Sequence, residues 1–253
     1  MNIKNKTLVC LFMAFILVLQ VSPVSAQDEM PPHTTMVVSD EPSTEDANWP
    51  IVKKETLKRQ DPKTGRNITE TIVVRQHLLN PKQTNCASNV EFQFDSVAAA
   101  TCQYDVTIED SRTIYVGGGA VTSVVKAFAR KYCNTANGDC DYVKMTKVQV
   151  YWKRTSTRFG VINATSYMGC VGGLCQVCSS GNSFTRYIAV SAPFTPSWNG
   201  LRSLVYSLTA PTDMPIMTAF EEQAGYPTAG NDSTATAPRS SYLMSNTVIF
   251  HWP

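Results

Sequence analysis

From Lys147 to Lys153 the chain alternates strictly, with Val148, Val150 and Trp152 on one side and Lys147, Gln149, Tyr151 and Lys153 on the other. A period of two belongs to an extended chain, whose successive side chains point to opposite faces, and a helix would scatter the same residues around its surface. One apolar and one mixed face is the signature of a half-buried antiparallel strand. Similar runs recur at Tyr187–Val190, Leu201–Leu208 and Tyr242–Trp252. Tyr104, Val106 and Ile108 share one face of a further run, which the turn-forming Glu109-Asp110-Ser111 is expected to fold back onto Thr113–Val116. Residues 51–82 read as an N-terminal hairpin, Ile51–Arg59 and Ile68–Leu79 around Asp61–Gly65, and its many basic residues suit a sheet edge.

The segment Val121–Tyr132 carries both periods. Val121, Val124, Val125, Phe128 and Tyr132 fit a helical stripe, whereas Val124, Lys126, Phe128 and Arg130 fit one strand face. The turn signal Asn137-Gly138 decides for a strand that returns along Lys147–Lys153. A single short helix is expected at Thr218–Gly225, where Thr218 and Glu221 form a capping box and Gly225 ends it. It would lie inside a long Pro- and Gly-containing connection, Pro211–Arg239. With 43% hydrophobic residues there is enough apolar material for one core of domain size. The expected fold is mainly β, an antiparallel two-sheet sandwich or jelly-roll-like domain over residues 51–253, with long loops, at most one or two short helices and an open strand order.

Residues 1–26 carry Lys4 and Lys6, then an apolar run from Leu8 to Val21, then Val24-Ser25-Ala26, which predicts a secretory signal peptide and a secreted protein. No second apolar run reaches spanning length, so stable membrane insertion is not expected. Cleavage would leave 20 of the 22 Lys and Arg residues against 20 acids. Asp28, Glu29, Asp40, Glu41, Glu45 and Asp46 fall within residues 27–50, which hold no Lys or Arg, so an acidic leader precedes a body of net charge +6. Its Pro31, Pro32 and Pro42 predict a solvated flexible linker; the competing reading folds it back over a basic surface. No dense Lys/Arg stripe with interleaved aromatics is present, which disfavours nucleic acid as a partner.

Seven cysteines follow the signal segment: Cys86, Cys102, Cys133, Cys140, Cys170, Cys175 and Cys178. In an exported chain they read first as a disulfide framework of up to three bridges, with connectivity open. Cys133 with Cys140 is the expected pair, because they flank the turn at Asn137-Gly138, and Cys86 with Cys102 comes second. The spacing of Cys170, Cys175 and Cys178 resembles the C-x4-C-x2-C of plant-type ferredoxins, but no fourth cysteine follows Cys178. Structural bridges are therefore expected there, and neither a cluster nor a zinc site. Asn137, Asp139 and Asp141 alternate as calcium ligands do, yet they lack a closing bidentate Glu. No metal and no cofactor is expected.

The chain has no G-x-S-x-G, H-E-x-x-H or phosphate-binding glycine loop, and its histidines are only His33, His77 and His251. Loop aromatics offer a non-enzymatic route: Trp198 and Tyr226 would present flat apolar faces to carbohydrate or to a surface protein. The expected function is accordingly a secreted binding module. The alternative is a carbohydrate-active hydrolase with an acid pair among Glu91, Asp95, Glu109 and Glu221, since glycoside hydrolysis needs only two facing carboxyl groups. A third reading is a membrane-active β protein, whose strands also alternate with little charge. Asn67, Asn163 and Asn231 begin N-glycosylation patterns.

Overall fold

The alternation of Lys147–Lys153 is part of a 13-residue strand in the computed structural model, which describes residues 33–60, 65–79, 102–116, 118–133, 142–171, 175–176, 183–184, 187–218 and 226–250. In chain order the strands are β1 (Met36–Ser39), β2 (Ile51–Gln60), β3 (Asn67–Leu78), β4 (Cys102–Val116), β5 (Gly119–Cys133) and β6 (Tyr142–Arg154). They continue as β7 (Gly160–Val171), β8 (Cys175–Gln176), β9 (Ser183–Phe184), β10 (Tyr187–Val190) and β11 (Trp198–Asn199). The remainder are β12 (Arg202–Ser203), β13 (Val205–Thr209), β14 (Met217–Thr218), β15 (Tyr226–Ala237) and β16 (Ser240–Ile249). No helix occurs among the described residues, and the fold is the expected mainly β, two-sheet antiparallel sandwich.

The larger sheet runs β1-β13-β6-β5-β4-β3-β2, and the smaller runs β10-β7-β15-β16. Each pair from β2 through β6 is antiparallel and consecutive, so the body of the large sheet is a meander of hairpins. The expected hairpin of β2 and β3 forms, with basic β2 at the sheet edge and exposed throughout. The ambiguous Val121–Tyr132 is strand, within β5 and paired to β6. Gly118, at φ 79°, makes the tight reversal from β4 to β5 that a side chain would strain.

Several expectations need correction. Glu109-Asp110-Ser111 is no turn: β4 runs through it for 15 residues, with Ser111 opposite Thr71 on one side and Val124 on the other. Polar residues are tolerated there because the facing sheet supplies Asn246, whose Nδ2 donates to Asp110 Oδ2 at 3.0 Å. The long connection Pro211–Arg239 instead contains β15, a central strand of the small sheet. Its Ala, Gly, Ser and Thr residues conceal it from hydrophobic periodicity, and they are what close approach requires. A Cβ on Gly230 would lie 2.3 Å from the Asn246 carbonyl oxygen. Within the expected helix, Thr218 belongs to β14 and residues 219–225 lie outside the described residues.

The core lies between the sheets. Val121, Val125, Val148 and Val150 of the large sheet meet Ala164, Met168, Ala229 and Met244 of the small one. Trp152 is 0% exposed beneath β15, and its indole N–H donates to Ser233 Oγ at 3.2 Å. Phe194 and Tyr206 pack around that ring with centroids 6.0 and 6.4 Å away.

The outer face of the large sheet is covered too, which is why Gln149 and Tyr151 are buried although the sequence marks theirs as the mixed face. The cover is residues 40–50, part of the segment expected to be an unpacked linker. β1 pairs with β13 at one sheet edge, and the chain then crosses the sheet to β2 at the other edge. On the way Arg202 grips Glu41, Gln149 Oε1 accepts from the Ser43 amide at 3.0 Å, and Trp49 stacks on His77 at 5.6 Å. Asp46 sits at the centre, 1% exposed, ion-paired to Lys126 and hydrogen-bonded by Thr107 Oγ1 at 2.7 Å, with Arg75 at 3.7 Å. At short range and low exposure, removing either partner would leave the other charge buried without compensation.

Burial by itself raises the Asp46 pKa, but the hydrogen bonds from Lys126 and Thr107 and the ammonium charge together hold it below its usual value. Its contribution to stability is therefore present above pH 4 and lost as pH falls through the lowered value. Asp46→Ala is expected to cost about 3–5 kcal/mol by leaving Lys126 buried without its partner, read from urea unfolding. Glu45→Ala, which removes an exposed ion pair with Lys147, is expected to cost under about 1 kcal/mol. Equal effects of the two would contradict a strap held by Asp46.

Candidate functional site

The large sheet is wider than the small one, so the inner face of β2, β3 and β4 continues beyond β16 and is left as one wall of a groove. The groove has a volume of about 660 Å³, within the range of small-molecule sites. Ile72 and Val74 of β3 and Ile108 of β4 form its floor, Val248 and Ile249 of β16 its inner wall, and Val52 of β2 its rim. Period two places these β3 and β4 residues on the face that also feeds the core, so their hydrophobicity follows from the same alternation.

Polar groups are concentrated toward one end. Glu70 accepts from Arg112 at 2.9 Å and pairs with Arg59 at 3.2 Å. Arg112 also donates to the Ser245 carbonyl of the opposite sheet. Asp110 is joined by Asn246 to a buried chain of amides and hydroxyls, in which Asn231 Nδ2 donates to Ser123 Oγ at 3.0 Å. Asp110 Oδ1 and Asn246 Oδ1 have no hydrogen-bond partner among the described residues. Burial, and secondarily the charge of Glu70, raise the Asp110 pKa to about 6 against the opposing pull of Arg112 and Asn246. At the far end Lys131, 9% exposed, lies with its Nζ 5.9 Å from the Tyr104 ring centroid, and burial lowers its pKa to about 8.

Tyr226 lines this groove. Trp198 does not: it is half-buried against the core, with the Arg154 guanidinium 4.0 Å over its ring. The β12 partner of Trp198 joins β6 at Lys153, whereas Lys131, on the Tyr226 groove, is level with Val143. Ten residues of strand separate those positions, about 33 Å at the rise of an extended chain. The two aromatics therefore do not form one binding surface. Glu109 points to the outer face, opposite Asp110, while Glu91, Asp95 and Glu221 lie outside the described residues. Glu70, Asp110 and Lys131 are the polar residues that sequence reasoning missed; the signal available was that each falls on the apolar face of its strand.

Cys170 and Cys175 form a disulfide, which removes two of the three sulfurs that the C-x4-C-x2-C spacing would supply to a metal. No group of metal-ligating side chains occurs among the described residues. Cys86, Cys140 and Cys178, and with them Asn137, Asp139 and Asp141, lie outside the described residues. The backbone register sets Cys133 opposite Cys102. Asn67 and Asn163 are exposed, but Asn231 is 0% exposed, so the third glycosylation pattern is closed in the folded chain. No protein-family model, curated protein or solved structure matches the chain.

The raised Asp110 pKa means that between pH 4 and 6 the folded chain holds a proton that the unfolded chain has released, so stability falls as pH rises through that window. The loss between pH 4 and pH 7 is expected to reach up to about 3 kcal/mol and to vanish in Asp110→Asn. Urea unfolding at a series of pH values checks this; an unchanged slope in the variant would mean another group is responsible.

Proposed function

We propose that this chain is an exported, non-enzymatic binding module that takes an apolar or amphipathic small molecule into the groove between its sheets. The observation that carries the reading is the lining: six aliphatic side chains and Tyr226 surround a concave space of about 660 Å³, the usual composition of a ligand site. The acids within it are engaged by Arg59, Arg112 and Asn246. Carbohydrate is a poorer match than the loop aromatics imply, because among the described residues Tyr226 is the one flat face lining the groove and Trp198 does not line it. Export is supported by the N-terminal pattern of Lys4, Lys6 and Ala26 and by the Cys170–Cys175 bridge, which favours an oxidising compartment. No helix among the described residues is long and apolar enough to cross a membrane.

A hydrolase is the second reading, favoured by one observation: Asp110, with a pKa raised to about 6, shares the groove with Glu70. The two readings separate experimentally. The neutral fluorophore N-phenyl-1-naphthylamine is expected to bind the full chain saturably, to bind Trp198→Ala equally and to lose binding in Ile72→Glu. No saturable binding, or binding indifferent to Ile72→Glu, would remove the groove from the proposal. Release of reducing sugar from a polysaccharide panel, abolished by Asp110→Asn, would favour the hydrolase instead.

A further inference from the structure

A buried side-chain hydrogen bond ties β16 to the large sheet. Asn246 of β16, 0% exposed, donates through Nδ2 to Oδ2 of Asp110 on β4, 2% exposed, at 3.0 Å. The same Nδ2 reaches the Ser123 carbonyl at 3.5 Å, and Ser123 with Asn231 carries the hydrogen bonds on into β15. Each partner of the Asn246–Asp110 bond keeps one oxygen without a partner, Asp110 Oδ1 and Asn246 Oδ1, and both are acceptors. The other buried side-chain atoms in that condition among the described residues, on Arg66, Arg112 and Arg154, are donors. Turning the Asn246 amide over is no remedy, because it sets an amide oxygen against the carboxylate. A proton on Asp110 is one, since it turns an acceptor oxygen into an O–H donor.

We propose that a proton clasps the two sheets here: Asp110 is held as the carboxylic acid, its O–H donating to Asn246 Oδ1 while Asn246 Nδ2 donates back, and release of that proton to solvent loosens β16 from β4. Without it, a buried carboxylate and an amide oxygen, both acceptors, are left at the contact that closes the sandwich. β16 is the element that responds, because it is the edge of the small sheet and pairs with β15 alone among the described strands. An edge strand opens at lower cost than one held on both sides. This clasp needs no occupant in the groove.

The charges around Asp110 come from several elements. Burial is the main cause that raises its pKa to about 6, and Glu70 of β3 adds to it. Arg112 on the same strand, the Asn246 hydrogen bond and Arg59 of β2 favour the carboxylate, but both guanidinium groups are engaged by Glu70. Lys53 of β2 and Lys131 of β5 also line the groove. Val125 of β5 stands opposite Asp110, and β16 carries no Lys, Arg, His, Asp or Glu. The closed clasp thus binds its proton more tightly than the open one, so opening becomes easier as pH rises through the window between the two pKa values.

Two measurements on the full chain test the clasp. The carboxyl-carbon resonance of Asp110, followed by NMR across pH, is expected to titrate near 6, which places the proton on this residue in the folded chain. Amide hydrogen exchange then reads the opening. Beyond the ordinary base catalysis of exchange, the opening of β16 should rise by up to about a hundredfold between pH 4 and pH 7, while β10, at the other edge of the small sheet, shows no such rise. Asp110→Asn replaces the O–H by an N–H donor that does not titrate, so β16 should stay closed and indifferent to pH. Titration of Asp110 at or below the ordinary carboxylate range would overturn the proposal in the unmodified chain, whether or not the variant folds. So would an opening of β16 that does not change with pH, that is matched by β10, or that rises equally in Asp110→Asn.

Discussion

A charge pair taken out of water on the outer face of the large sheet governs how this chain is put together. Lys126 emerges from the middle of a central strand where an exposed sheet would offer it solvent, and the strap carrying Asp46 closes over it. Neither charge is tolerable there alone, since an isolated buried ion costs several kcal/mol, whereas Asp46 with Lys126, Thr107 and Arg75 forms a satisfied cluster. Through that cluster one turn of chain is tied to β3, β4 and β5. Arg202 with Glu41 and Trp49 with His77 fix its flanks, so the strap spans the sheet nearly from edge to edge. The centre of the large sheet is thereby covered on both faces, and its surplus inner face beside β16 is left as one wall of the groove.

That surplus is a matter of width. Four strands of the small sheet cannot cover the seven-strand path of the large one, and the cover falls mainly over β4, β5 and β6. The residues along that margin are continuous with the core: Val74, Ile108 and Val248 are buried, and Val52 and Ile249 beside them are exposed. At the margin Asp110 and Lys131 are buried among apolar side chains, and burial shifts both toward their neutral forms. The groove and its altered ionisation thus arise from one cause, the mismatch between sheets.

The parts of this architecture that rest on local periodicity were legible in the chain. Val148, Val150 and Trp152 announce β6, and the two β2–β3 runs with Asp61–Gly65 announce the first hairpin. What escaped is what depends on partners distant in sequence. β15 is assembled from Ala, Gly, Ser and Thr, residues that look like loop until Trp152 and Tyr167 are placed against them. Asp110 looks like a turn residue until Asn246 faces it. The acidic segment reads as a solvated linker because its counter-charges, Arg75, Lys126, Lys147 and Arg202, come from four separate stretches of chain. The same limit applies to Trp198 and Tyr226: both stand out as loop aromatics, but the distance between them is a property of β6 and not of their own neighbourhoods.

The strap also imposes an order of events. Met36 pairs with Leu208, so the segment that emerges early in synthesis has no sheet edge to join until β13 has been made and added to β6. The hairpins from β2 to β6 need only neighbours in sequence and can form first, whereas closing so long a loop is slow and comes late. Until it closes, Lys126 and the surface around it remain wet, and the half-built sheet is held in solution by the very charges that the finished molecule hides.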